Sequence, residues 1–89
     1  MRKPFLNANS LAIIRSFGED ILDALKSLRA REQFAIIMRY GLSRQEPRTY
    51  KDIADALGIS IARVQNIERS GISKLRHLSE RKTAPADPL

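Results

Sequence analysis

Residues 49–68, TYKDIADALGISIARVQNIE, leave the backbone little choice. Ile53, Ala54 and Leu57 recur at helical spacing, and so do Val64 and Ile67, yet only Gly58, Ile59 and Ser60 separate the two patterns. Glycine at position 58 breaks the first helix, Ile59 plugs the turn, and Ser60 caps the next helix with its hydroxyl. Thr49 opens the first helix as its N-cap, with Asp52 standing where a capping box more often has glutamate. Two helices joined by so tight a turn, the second of them basic, make a helix-turn-helix.

The rest of the chain keeps the helical period. Leu11, Ile14 and Phe17 give a short first helix, Gly18 interrupts it, and Glu19 and Asp20 place acid where a helix N-terminus favours it. The next helix, EDILDALKSL, puts Ile21, Leu22, Leu25 and Leu28 on one stripe. A third, AREQFAIIMRY, ends at Gly41, and Pro47 keeps residues 42–48 a loop. The last helix is expected to run to residue 82, with Val64, Ile67, Ile72, Leu75 and Leu78 on its apolar side. Gly71 inside it costs about 1 kcal/mol relative to alanine, so a local bend is expected there. Residues 1–10 read as a flexible basic arm and residues 83–89, TAPADPL, as a disordered tail. With no alternating strand pattern and no solenoid repeat, the fold class is all-α: one domain over residues 11–82, its helix-turn-helix over 49–82.

Eighty-nine residues allow one modest core, too small for a cleft enzyme with a lid. No apolar run approaches the ~20 residues needed to span a bilayer, and the first residues lack the features of a signal peptide. A cytoplasmic, nucleoid-associated protein is expected. The absence of cysteine removes thiolate metal sites, and His77 stands alone, so no metal or cofactor is expected. The carboxylate pairs Asp20 and Asp23, and Asp52 and Asp55, read as caps and solvated faces, which leaves no catalytic constellation. The net charge of +6 points instead to a polyanionic partner.

That charge is concentrated. From Ser60 to Lys82 six cations (Arg63, Arg69, Lys74, Arg76, Arg81, Lys82) oppose Glu68 and Glu80, a local +4. On this helix Ile61, Ala62, Gln65, Asn66 and Arg69 share one face, opposite Val64 and Ile67. The N-terminal residues of a second helix-turn-helix helix meet base edges, so these five are the candidate readers, with Ser60 and Arg63 beside them.

LRAREQFAIIMRYGL, then TYKDIADALGIS, then RVQNIERSGISKLRH resembles, in order and almost without gap, region four of bacterial sigma factors of the principal type. The resemblance implies a helix-turn-helix domain that binds double-stranded DNA at an upstream promoter hexamer and cradles the flap-tip helix of the RNA polymerase β subunit. Carried over by position, it implies backbone-phosphate contacts near Arg31, Arg39, Thr49 and Tyr50, and base contacts at Ile61, Ala62 and Asn66. It also directs attention to Ile21, Leu25, Phe34 and Ile37 as partner-binding residues. Phe34 and Ile37 stand where the family often has polar groups; either the first helix folds over them or they form an apolar docking patch.

After the cap the family commonly has Arg, Glu, Arg, an apolar residue, Arg, Gln, Ile, Glu. Here the residues are Ile61, Ala62, Arg63, Val64, Gln65, Asn66, Ile67 and Glu68. Ile61 and Ala62 cannot pair with guanine or cytosine as arginine and glutamate do, though they fit a thymine methyl, and Gln65 or Asn66 suits adenine. The alternative is that Arg31, Arg39, Arg63 and Arg69 hold phosphates with little sequence discrimination. Three functions follow. The first is a stand-alone regulator on polymerase and DNA, working with a second transcription factor or on engaged polymerase, as activator or antiterminator. The second is an ordinary dimeric helix-turn-helix repressor or activator. The third is a polymerase-binding mimic of region four.

Overall fold

The computed structural model describes residues 6–83. These residues form α1 (Ala8–Arg15), a 3-10 turn (Gly18–Asp20), α2 (Ile21–Leu25), α3 (Ala30–Tyr40), α4 (Tyr50–Leu57) and α5 (Ile61–Thr83). No strand occurs among them, as the periodicity requires.

Helix α1 starts before its apolar spacing does, because the Asn7 side chain accepts the Ser10 N–H at 3.1 Å and caps it. The expected arm therefore does not reach Ser10: Ala8, Asn9 and Ser10 are helical, while residues 1–5 lie outside the described residues. At the other end Thr83 still belongs to α5, and the rest of the expected tail lies outside them.

The single helix expected over residues 19–28 is instead a 3-10 turn followed by the five-residue α2. Its end is tightened by short-range bonds from Leu28 N–H to the Leu25 carbonyl and from the Ser27 hydroxyl to Ala24. Leu25 and Leu28 are buried and Ile21 is half-buried, but Leu22 is 45% exposed. At 3.6 residues per turn Leu22 lies about 100° round the helix from Ile21, off the stripe to which it was assigned.

The apolar interior forms two clusters that share α5. Ile14, Phe17, Leu25, Leu28, Ile36 and Tyr40 pack with Ile72 and Leu75 from the later turns of α5. Ile53 and Ala54 of α4 pack with Val64 from its first turns, joined by Phe34, Met38, Leu57 and Ile59. Burying a leucine, isoleucine or valine side chain of this kind stabilises by about 1.5–3 kcal/mol.

Gly71 explains how α3 and α5 come so close. It is buried, and a Cβ built on it would lie 2.5 Å from Ile36 Cδ1 and 3.2 Å from Leu28 Cδ2. A side chain there would have to displace the Ile36 tip and crowd Leu28. Helix α5 continues through this position as one element. The roughly 1 kcal/mol that glycine forfeits in helix propensity is offset by contact across the seam.

Candidate nucleic-acid interface

The turn between α4 and α5 is built as its sequence demands. Gly58 is left-handed at φ 69°, and the Ile59 N–H reaches back to the Ala54 carbonyl at 3.1 Å. The Ser60 hydroxyl then accepts the Arg63 N–H at 3.1 Å, which fixes the first turn of α5. Val64 is thereby turned into the core, leaving Ser60, Ile61, Ala62, Arg63, Gln65, Asn66 and Arg69 on the exposed side. The sequence-predicted readers thus share one solvent-facing surface. Arg69 Nη1 lies 3.5 Å from Asn66 Oδ1, a long contact that leans the two side chains together.

Cations flank this surface. On one side Arg29 and Arg31, at the start of α3, line a cleft with Arg63, Asn66 and Ser70 of α5. On the other side a groove runs between α1 and α5, lined by Asn7, Asn9, Gln65, Arg69, Ser73 and Arg76. Arg29, Arg31, Arg63, Arg69 and Arg76 make no ion pair among the described residues, so their charge faces solvent uncompensated. Positive walls on both sides of a protruding helix raise the local concentration of a polyanion.

Two buried carboxylates hold α5 in place. Glu68 accepts the hydroxyl of Tyr40 from α3 and, at 2.6 Å, that of Tyr50 from α4, so one side chain ties three helices together. Burial and the adjacent Glu68 carboxylate push the Tyr40 hydroxyl far above the ordinary tyrosine range, against an opposing hydrogen bond from Ser10. The same two causes raise Tyr50, with Arg39 opposing. Glu32 on α3 accepts the Arg29 N–H at 2.9 Å, the Ser70 hydroxyl at 2.7 Å and Lys74 Nζ at 2.9 Å. Burial alone would raise its pKa, but these hydrogen bonds and the Lys74 charge together hold it below the ordinary value.

The phosphate contacts expected from the resemblance divide into two kinds. Arg31 is exposed at the cleft, as that role needs. Arg39 is not: it is only 7% exposed, stacks 3.9 Å from the Tyr50 ring centroid and donates to the Arg48 carbonyl at 3.0 Å. It braces the loop before α4, and its expected phosphate role is withdrawn. Tyr50 spends its hydroxyl on Glu68, and the Thr49 hydroxyl accepts the Asp52 N–H at 3.1 Å in the expected cap. Thr49 itself remains exposed.

Among the expected partner-binding residues, Leu25 is core, 1% exposed, and cannot meet a partner. Ile21 and Ile37 are half-buried against the first cluster and Phe34 against the second. Phe34 is thus packed with α4 and the start of α5 instead of being roofed by α1. The exposed apolar residue on α2 is Leu22.

Sequence reasoning missed Glu68, Tyr40, Glu32, Ser70 and Lys74 as a set. A signal was present: Val64, Glu68, Ile72 and Leu75 follow at i, i+4, i+8 and i+11, which puts the acid on the buried stripe. Glu32 likewise shares the stripe of Ala35, Ile36 and Arg39.

No group of three or more potential metal ligands gathers among the described residues, and no helix there is long and apolar enough to cross a membrane. The family model described as Sigma-70, region 4 matches residues 24–77. Over 71 residues the chain is 30% identical to the RNA polymerase principal sigma factor HrdC of Streptomyces coelicolor, a match covering 80% of this chain and 21% of that protein. The chain therefore spans about a fifth of the length of this curated relative. No solved structure gave a significant match. The family match takes in the third and fourth helices, the turn at Gly58 and most of α5, more than half of the molecule, and the chain belongs to the sigma-70 region 4 family.

Proposed function

We propose that the chain is a transcription regulator that binds duplex DNA through the first turns of α5 and engages RNA polymerase. The observation that carries this reading is the exposed face of Ile61, Ala62, Gln65 and Asn66 between two walls of unpaired arginines. A helix presented in this way enters the major groove with its N-terminal residues toward the bases, while Arg31 and Arg63 hold phosphates. The polymerase contact is assigned to the β flap tip, received beside α2, where Leu22 is exposed and Ile21 half-buried. Its mode of action is activation or antitermination, with a second transcription factor or on polymerase already engaged. Catalysis plays no part in it.

Binding of the full chain to duplex DNA, titrated across salt, tests the DNA half. Affinity should fall steeply with salt, and Arg63→Ala should lower the logarithmic salt slope by about 1. Affinity indifferent to both would defeat it. Co-purification with core polymerase that fails when the flap tip is deleted tests the other half; binding to DNA without any polymerase contact would instead identify an ordinary operator-binding protein.

A further inference from the structure

Within the proposed DNA-binding role, on which this inference rests, the chemistry of the reading face narrows what can be read. Its crest is apolar. Ile61 is 44% exposed, and it and Ala62 line neither of the cationic grooves on the two flanks. The Ser60 cap pins this first turn, and a β-branched side chain on a helix has essentially one χ1 setting, so Ile61 presents its methyl groups with little freedom to lose.

The groups needed to read G·C pairs are missing from the crest. A carboxylate would be required to accept from cytosine N4, but Glu68, the one acid between residues 61 and 79, is buried beneath Tyr40 and Tyr50. Guanine is best read by a bidentate arginine, yet neither crest position carries one: Arg63 and Arg69 stand on the two flanks, in the grooves that Asn66 and Gln65 also line. The crest itself is a methyl surface, with one amide beside an arginine on each flank. Asn66 is already engaged through Oδ1 by Arg69, whereas Gln65 is exposed and has no hydrogen-bond partner among the described residues.

We infer that the reading face recognises A·T pairs, with Ile61 and Ala62 seated on the thymine 5-methyl group and Gln65 pairing bidentately with adenine N6 and N7. The 5-methyl projects into the major groove and marks thymine there, while adenine offers a donor beside an acceptor that a glutamine amide matches.

Replacing thymine by deoxyuridine removes that methyl and nothing else. Sites are first recovered with the full chain from a randomised duplex library, and the best site is resynthesised with each thymine in turn as deoxyuridine. At one or two positions the substitution should weaken binding about four-fold, the equivalent of one buried methyl. Ile61→Ala should lose this sensitivity at the same positions, and Gln65→Ala should relax selection at a neighbouring adenine. Ile61 is exposed, so a matching helical circular-dichroism melt will show that the variant is folded. Sites rich in G·C, or salt-dependent binding without base preference, would overturn the inference while leaving the DNA-binding role standing. Absence of binding to any duplex at low salt would end both.

Discussion

Glu32 and Glu68 sit across the same seam, one on α3 and one on α5, each nearly removed from water, and they are held by opposite means. Glu32 is answered by a cation, a hydroxyl and a backbone N–H; Glu68 is answered by two tyrosine hydroxyls. The first arrangement is an ion pair open to solvent on one side, since the Lys74 side chain keeps 42% exposure. The second contains no ion pair among the described residues and depends on its phenols staying protonated. Removing Glu68 should cost more than removing Glu32, because the buried Tyr40 hydroxyl left behind cannot turn to water as the exposed Lys74 can.

The contrast predicts a ranking. Glu68→Ala strands two partly or fully buried hydroxyls and opens a void, and should cost about 4 kcal/mol in urea unfolding. A cost no greater than that of Glu32→Ala would break the comparison. Between the two anchors, Gly71→Val forces a side chain toward Ile36 and should cost about 3 kcal/mol by overpacking. A gain in stability there would mean that the seam opens freely.

Glu32→Gln should cost about 1–2 kcal/mol at neutral pH, because Lys74 can rehydrate. Its folded pKa lies below the ordinary 4.5, so the wild-type advantage is present above that value and is lost as pH falls through the lowered one. Unfolding midpoints of the two proteins should therefore converge in acid. Tyr40→Phe should cost about 1 kcal/mol at neutral pH and act on the opposite limb. The Tyr40 hydroxyl is raised above its ordinary 10.0, so the stability it confers is intact below that pH and is lost as pH rises above it. The variant should show a flatter alkaline decline; an unchanged slope would place the buried phenol elsewhere.

The parts of the fold that could be read in the sequence are those set within a few residues. Thr49 and Ser60 as caps, Gly41 and Gly58 as helix ends, and Val64 as an inward residue all follow from local stereochemistry, and each appears in the structure. The parts that could not be read depend on what another helix brings. Gly71 looked like a defect because its reason is Ile36, thirty-five positions away. Arg39 looked like a free cation because the Tyr50 ring that covers it belongs to the next helix. Leu22 was assigned to the interior by spacing, but the short α2 leaves that side uncovered. The exposed readers were identifiable because facing solvent requires no partner.

Helix α5 is 23 residues long, about 34 Å of rise, and serves as both reading element and backbone of the interior. Its one glycine faces α3, at a point where an added Cβ would meet Ile36 and Leu28. A partner seated against α1 and α2 would therefore bear on the same continuous helix that carries Ile61 and Gln65.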